Sequence, residues 1–160
     1  MFSHQQLGLT FDDVILVPGY NGIKSRQLVS TATEVLGHKF EIPLVSSNMD
    51  TITGTRMASF MNSVGGFGIM HRFMSIEENV DAVKSFDDPK RVGISIGIGP
   101  NGMERAEALV NAGSEIICVD VAHGHSKEVN RTIKNLREKF SDNVLIIAGN
   151  VATYAGADYL

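Results

Sequence analysis

The sequence predicts an α/β fold built from successive parallel βα units. Short runs rich in Ile and Val are followed by polar turns and then by segments with helical periodicity. The runs hardly alternate between polar and apolar residues, which is typical of strands buried on both faces. Five repeats of this pattern favour a parallel sheet covered by helices. The predicted strands are residues 42–47, 66–71, 91–98, 115–120 and 144–150.

Four helices are predicted between these strands, over about residues 53–63, 75–86, 102–112 and 126–139. The second begins with a capping-box pattern, Ser75 followed by Glu78. We expect the third to end at Ala112 and Gly113, since Gly accepts the left-handed conformation that often closes a helix. The fourth carries an apolar stripe that would face the sheet, made of Val129, Ile133, Leu136 and Phe140.

Two architectures fit this repeat, an open doubly wound sheet and an eight-stranded βα barrel. No G-x-G-x-x-G pattern opens a helix after the first strand, which weakens a dinucleotide-binding open sheet. Gly97 and Gly99 in the run SIGIGPNG (95–102) alternate in strand register before a turn, which favours strand-end packing over a phosphate cradle. Five units cannot close an eight-stranded barrel and would leave an open edge. We therefore expect a truncated chain or a half-barrel that needs a partner.

Residues 1–40 precede the repeat and form a predicted N-terminal extension, and residues 41–160 hold the five units. Leu9–Val17 followed by Gly19–Gly22 predicts a short strand and a turn. We expect this extension to act as a lid over one end of the barrel.

Composition excludes several classes of protein. The chain has 160 residues, 43% of them hydrophobic and 20% charged, which fits a soluble globular protein. The net charge of −4 and the absence of a basic stripe argue against nucleic acid as a partner. No apolar run is long enough to span a membrane, and no signal segment opens the chain. Cys118 is the only cysteine, which excludes a disulfide framework and predicts a reducing cytoplasm.

Polar residues follow the carboxyl ends of the predicted strands, where ligands bind in parallel α/β folds. An acid there suits ribose hydroxyls, an Arg suits phosphate, and hydroxyl and backbone donors suit a nucleotide. The candidates are Ser46–Asp50, His71 with Arg72, Gly97–Gly99, Asp120 with Ala122–Ser126, and Gly149 with Asn150.

Most of these candidates have a simpler structural interpretation. Asp120 could cap the turn into the fourth helix. His123 and His125 could bind zinc, but no third ligand stands at a matching spacing, so we expect them to shape a loop in which Gly124 makes the turn. His71 could act as a general base or be satisfied by backbone groups.

Three further features are ambiguous or inert. Cys118 lies mid-strand among apolar residues, which predicts a buried, unreactive thiol. Met49 could pack under a flat base or fill the core. Lys24–Arg26 could contact an anion from a loop or remain a solvated charge pair.

Six sequence motifs follow one another along the chain: LTFDDVILVPGY (9–20), IPLVSSNMDT (42–51), GGFGIMHRFMSIEEN (65–79), GPNGMERAEALVNAG (99–113), DVAHGHS (120–126) and IIAGNVAT (146–153). Their order resembles that of the IMP dehydrogenase / GMP reductase family, and the resemblance covers the chain from about Leu9. It implies an eight-fold βα barrel, usually a tetramer. It also implies hydride transfer between a nicotinamide cofactor and the purine of a nucleoside monophosphate, through a thioether-type intermediate on a cysteine.

Within the family, the resemblance leans to GMP reductase. Dehydrogenases commonly carry regulatory CBS domains after the second helix, whereas here Glu77–Asp88 runs straight on to Arg91. Residues 23–26, 48–51 and 69–73 are similar to reductases, while residues 9–20, 74–79 and 99–110 are more similar to dehydrogenases. The implied activity is NADPH-dependent deamination of GMP to IMP. The alternatives are an IMP dehydrogenase without CBS domains, which would use NAD, and an inactive half-barrel that binds a nucleotide or a partner chain.

The resemblance also assigns residue roles. Arg26 and Arg72 would suit NADPH over NADH. The family's nucleophilic cysteine and most of its phosphate-binding glycines would follow Leu160, so no catalytic residue is expected here and the chain alone is not expected to turn over. The resemblance allows a monovalent cation such as potassium in the complete enzyme and predicts no metal site in this chain. The implied substrate contacts are Ser47, Met49 and Asn150. The implied cofactor contacts are Ser25, Arg26, Arg72, Asp120, Val121, Ala122, Gly149 and Asn150.

Overall fold

A computed structural model describes residues 8–35 and 37–160, and the chain divides into two units, Met1–Ser30 and Thr31–Leu160. Of the predicted extension 1–40, residues 1–7 and Leu36 lie outside the described residues, and a lid role for the extension stays a prediction. Among residues 8–30 the regular element is a short 3-10 helix, Arg26–Leu28. None of the described helices is long and apolar enough to cross a membrane.

The predicted strand over Leu9–Val17 is wrong. Residues 11–13 form a turn instead, in which the amide of Asp13 donates to the Thr10 carbonyl at 3.0 Å. The Asp13 carboxylate accepts in return from the Thr10 amide at 2.7 Å and from the Thr10 hydroxyl at 2.9 Å. These local bonds between side chain and backbone compete with an extended strand.

The second unit begins with a hairpin that the sequence did not predict. Strands β1 (Thr33–Val35) and β2 (His38–Phe40) pair antiparallel, with Thr33 opposite Phe40. Gly37 at the turn has a φ of 87°, a conformation that favours glycine. Strands of three residues are too short to show a period in the sequence.

Five parallel strands form the main sheet and confirm the predicted βα repeat. Their spatial order equals their chain order, without the reversal that defines a doubly wound sheet. Right-handed crossovers that always step in one direction place the helices on a single face, as in a barrel. The strands are β3 (Val45–Ser46), β4 (Phe67–Met70), β5 (Val92–Ile96), β6 (Ile116–Asp120) and β7 (Leu145–Gly149).

The four predicted helices follow their strands, with boundaries within three residues of the predicted ones. The third begins at Gly99, before the predicted residue 102, because Pro100 suits the first turn of a helix. Gly113 has the predicted positive φ, 110°. The helices are α1 (Thr55–Ser63), α2 (Ile76–Lys84), α3 (Gly99–Asn111), α4 (Lys127–Phe140) and α5 (Tyr154–Tyr159).

The sheet buries apolar side chains on both faces, which explains the non-alternating runs in the sequence. The helix-facing layer contains Met70, Ile94 and Val119, packed with Leu109 and Leu136 from the helices. The predicted stripe of α4 is confirmed, since all four of its residues belong to this layer. The opposite, inner layer contains Phe67, Ile69, Ile116 and Cys118, with Phe40, Leu145 and Ile147 packed against it.

The capping box of α2 is formed as predicted. The Ser75 hydroxyl accepts from the Glu78 amide at 3.0 Å, and the Glu78 carboxylate accepts from the Ser75 amide at 2.8 Å. We expect Ser75→Ala to lower the free energy of unfolding by about 1 kcal/mol. Urea denaturation measures this loss. Ser85→Ala at the other end of the helix is the control, and equal losses in the two variants would contradict a specific capping effect.

Candidate functional site

The carboxyl ends of β3 to β7 meet at one edge, because the five strands are parallel. There the predicted residues Asp120, Gly149 and Asn150 line a cavity of about 280 Å³ together with Asn48. The inner-layer residues that also line it are Ile69, Cys118 and Ile147. The structure thus brings together residues that are far apart in the sequence, such as Asn48 and Asn150, which are 102 positions apart.

Asp120 is the last residue of β6 and pairs with Gly149 of β7. Its carboxylate Oδ2 lies 3.9 Å from Nε of Arg72, an ionic contact that is too long for a hydrogen bond. The Arg72 guanidinium stacks over the Phe73 ring, 5.0 Å from its centroid. Arg72 Nε is buried and has no hydrogen-bond partner among the described residues. A carboxylate acceptor and an unpaired guanidinium donor therefore stand side by side at the strand ends.

Backbone hydrogen bonds join the loops that follow β6 and β7. The amide of Val121 donates to the Gly149 carbonyl at 3.1 Å, and the amide of Asn150 donates to the Val121 carbonyl at 2.8 Å. The Gly124 amide donates to the Asn150 carbonyl at 2.6 Å. The Gly149–Asn150 peptide bond is cis. These bonds place Val121, Gly149 and Asn150 next to Asp120.

The structure tests the simpler interpretation of Asp120, as a cap of the fourth helix, and the zinc interpretation of His123 and His125. Ser126 caps α4 by accepting from the Val129 amide, so the interpretation of Asp120 as the helix cap is wrong. His123 and His125 are exposed, and their ring centroids lie 6.4 Å apart. In the described ranges no three His, Cys, Asp or Glu side chains are arranged to hold a metal ion.

The loop after β3 is tied to the sheet through Asn48, which is among the predicted candidates, and through Ser95 and Thr53, which sequence reasoning missed. The amide nitrogen Nδ2 of Asn48 donates to the hydroxyl of Ser95, a fully buried residue of β5, at 3.0 Å. Buried Thr53 donates to the Ser47 carbonyl at 2.5 Å. Met49 on this loop is 51% exposed, which excludes core filling as its role. Ser47 is exposed as well.

His71 has a structural role, the simpler of its two predicted interpretations. It is buried, and its Nδ1 accepts from the amide of Phe73 at 3.2 Å. Ser25 and Arg26 belong to the unit that ends at Ser30, where the Ser25 hydroxyl accepts from the Gln27 amide at 3.3 Å. Their cofactor role stays a prediction.

Cys118 is buried in the inner layer, as predicted. Burial raises the pKa of its thiol to about 11, and the negative charge of Asp120 acts in the same direction. The Ser95 side chain opposes this shift through a hydrogen bond. The thiol is therefore protonated at neutral pH and is a poor nucleophile.

This raised pKa gives a pH-dependent prediction. We expect iodoacetamide to alkylate Cys118 in the folded chain at pH 8 roughly 200-fold more slowly than in the urea-unfolded chain, because a free thiol has a pKa near 8.5. The rate should rise about tenfold per pH unit up to the folded pKa, since only the thiolate reacts. Mass spectrometry of timed samples measures both rates. Asp120→Asn should accelerate alkylation, and rapid alkylation of the folded chain at pH 7 would contradict the assignment.

The chain matches a family model described as "IMP dehydrogenase / GMP reductase domain" over residues 8–160. A GMP reductase of Ligilactobacillus salivarius is 38% identical and aligns over 89% of this chain and 44% of its own length. An inosine-5'-monophosphate dehydrogenase of Cryptosporidium parvum is 34% identical over 91% of this chain and 46% of its own length.

A solved structure of inosine 5' monophosphate dehydrogenase from Legionella pneumophila is also similar. It is 51% identical and superposes with a TM-score of 0.86, over 94% of this chain and 46% of that one. The five-stranded sheet is accordingly a partial (β/α)8 barrel, as the resemblance implied. The chain spans about half the length of the curated relatives it matches. On these matches, it belongs to the IMP dehydrogenase / GMP reductase family of oxidoreductases.

Proposed function

We propose that the chain carries the nicotinamide-cofactor side of a purine-nucleotide oxidoreductase of the GMP reductase type, which deaminates GMP to IMP with NADPH. The observation that carries this proposal is the pair formed by Asp120 and the unpartnered Nε of Arg72. A carboxylate accepts from ribose hydroxyls, and a guanidinium donates to phosphate. The bound cofactor would supply the hydride.

The residues at the strand ends fit such a ligand. Asp120 would hold a ribose, while Arg72 would bind cofactor phosphate. Ser25 and Arg26 would contact the cofactor of a neighbouring subunit in the complete enzyme. The cofactor would be lined by the backbone of Val121, Ala122, Gly149 and Asn150. The cavity of about 280 Å³ lies just below the range typical of drug-sized ligands, so it suits one part of a dinucleotide.

The substrate purine would be contacted by Ser47, Met49 and Asn150. Met49 is exposed and offers the purine an apolar surface.

The short path between α2 and β5 supports the reductase. Helix α2 ends at Lys84 and β5 begins at Val92, which leaves no room for an inserted domain. Relatives named GMP reductase align over 146 or 149 residues, whereas relatives named inosine-5'-monophosphate dehydrogenase align over 189 to 279. An IMP dehydrogenase without CBS domains, which would use NAD, is the second candidate. The 51% identity to the Legionella dehydrogenase favours it.

We further propose that this chain alone binds nucleotide without turnover. Cys118 is its single cysteine, and a buried thiol with a pKa of about 11 does not serve a thioether mechanism. The third alternative, a half-barrel that binds a nucleotide or a partner chain, therefore describes this chain in isolation. The complete enzyme is proposed as a cytoplasmic homotetramer that can use a monovalent cation such as potassium.

Fluorescence titration with NADPH and NADH tests the cofactor assignment, and we expect NADPH to bind more tightly than NADH. Anaerobic assays of GMP plus NADPH and of IMP plus NAD test turnover. In both assays we expect the absorbance of the reduced nicotinamide to stay constant, because the chain alone should not turn over. Asp120→Asn should weaken binding about 10- to 100-fold, because a hydrogen bond to a charged group is worth roughly 1.5–3 kcal/mol. Asp142→Asn is the control, since Asp142 lies on an exposed surface pair.

Each contrary result has a distinct meaning. Absence of binding to either dinucleotide would contradict the cofactor assignment. Preference for NADH or NAD would favour the dehydrogenase. Turnover of GMP would contradict the proposal that the chain alone is inactive, and would mean that the reaction does not need an ionised cysteine thiolate.

A further inference from the structure

Arg105 of α3 is a buried cation whose described partners are all neutral. It is 8% exposed. Its Nη2 donates to the Met74 carbonyl at 2.9 Å, and its Nη1 donates to the Ser75 carbonyl at 3.2 Å and to Oδ1 of Asn79. Burying a charge is costly unless hydrogen bonds satisfy it. Three charge-assisted bonds therefore explain how a guanidinium is tolerated here, and they identify what it holds.

The group that Arg105 holds is the loop between β4 and α2, residues 71–75. Asn79, which is fully buried, accepts from Arg105 and donates through Nδ2 to the His71 carbonyl at 3.4 Å. The His71 ring in turn accepts from the Phe73 amide. One guanidinium thus fixes the end of the loop directly and its beginning through Asn79.

This loop carries Arg72 to the strand ends. Phe73 supports the Arg72 guanidinium from one side, and Asp120 lies 3.9 Å from its Nε. Burial lowers the pKa of Arg105, the positive charge of nearby Arg72 lowers it further, and the negative charge of Glu77 opposes both effects. Arg105 holds the loop through its hydrogen bonds, whereas Arg72 lies beside Asp120 at the site.

We propose that Arg105 is a positioning residue that sets the Arg72 side chain against Asp120 and thereby controls the affinity of the nucleotide site. The second part of this inference rests on the proposed function. Lys in place of Arg105 keeps the positive charge, but one ammonium on a flexible stem cannot bridge two carbonyls and an amide in the fixed geometry of a guanidinium. The role therefore depends on shape rather than on charge.

The 160-residue chain offers a matched control. Arg137 of α4 also donates to two backbone carbonyls, those of Ser141 at 3.0 Å and Val144 at 2.8 Å. These carbonyls precede β7, at the end of the sheet opposite to the site. Arg105→Lys and Arg137→Lys thus both remove a guanidinium that binds backbone, and only the first should disturb Arg72.

NMR of the Arg72 Nε–H group, assigned with Arg72→Lys, gives a measurement that needs no ligand. In Arg105→Lys we expect this proton to exchange with solvent at least about tenfold faster and to lose its ring-current shift from Phe73. In Arg137→Lys we expect both properties to be unchanged. NADPH affinity should fall roughly tenfold in Arg105→Lys and less than about twofold in Arg137→Lys.

An unchanged Arg72 signal in folded Arg105→Lys would overturn the proposal, and so would a moved signal with full NADPH affinity. If the unmodified chain binds no NADPH, the proposed function fails, while the Arg72 signal still decides whether Arg105 positions the loop. Should Arg105→Lys not fold, Asn79→Asp carries the same test. Its carboxylate can accept from Arg105 but cannot donate to the His71 carbonyl, so a loosened Arg72 supports the network and an unchanged Arg72 overturns it.

Discussion

Gly68→Ala is expected to lower the free energy of unfolding by about 3 kcal/mol. Gly68 lies in β4, in parallel register with Val92 of β5, and α1 crosses directly over it. A Cβ at this position would stand 2.7 Å from the Cα of Ala58 and 3.1 Å from its Cβ. Since the nearest contact is with backbone, no change of rotamer relieves it, and the helix has to move away from the sheet.

Urea denaturation of Gly68→Ala, with Gly54→Ala as the control, measures this cost. A Cβ at Gly54, which precedes α1, would meet nothing within 4 Å. The control should therefore lose no more than about 1 kcal/mol, the ordinary cost of a changed helix cap. Adding Ala58→Gly to Gly68→Ala should recover part of the loss, because it removes the contact with the Ala58 Cβ. Equal stability of Gly68→Ala and Gly54→Ala would show that the close approach of α1 to β4 is incorrect.

Gly124→Ala is expected to disrupt the site more than the fold. A Cβ there would lie 2.9 Å from the Asn150 carbonyl oxygen and 3.1 Å from the Gly149 carbonyl carbon. These are backbone atoms of the neighbouring loop, so the loops after β6 and β7 have to separate. We expect NADPH affinity to fall at least about tenfold, since a small displacement of positioning groups has a large effect on binding geometry.

Titration with NADPH and urea denaturation of the same variant separate the two effects. The free energy of unfolding should fall by about 1–3 kcal/mol, as is usual for an overpacked site. Gly19→Ala is the control, because its Cβ would meet nothing within 4 Å and surface substitutions of this kind change stability by less than about 0.5 kcal/mol. Unchanged NADPH affinity in Gly124→Ala would mean that the joined loops do not form the cofactor contact.

Much of the fold was predictable because its signals are local. The Ile- and Val-rich runs mark strands buried on both faces, and the Ser75 capping box and the α4 stripe follow from spacing alone. The wrongly predicted strand at residues 9–17 and the unpredicted hairpin have local causes as well. The Asp13 carboxylate turns a segment that has strand composition, and the three-residue strands of the β1–β2 hairpin are too short to carry a period.

The candidate site was predictable where it follows from topology. Asp120, Gly149 and Asn150 stand at the ends of parallel strands, so their convergence follows from the βα repeat. The supports of the site were not predictable, because Asn48 meets Ser95 across 47 residues and Arg105 meets Asn79 across 26. One signal did exist for Arg105. It stands among Gly102, Ala106 and Leu109 on the buried face of α3, where a charge is out of place.

The chain order of the strands has a consequence for how this fold assembles. Each strand of the main sheet pairs with the strand one unit away, from Val45 with Phe67, 22 residues later, to Ile116 with Leu145, 29 residues later. A short separation along the chain lowers the entropy cost of bringing two strands together and favours their fast pairing. Folding can therefore proceed like the growth of a solenoid, in which each βα unit is the template for the next.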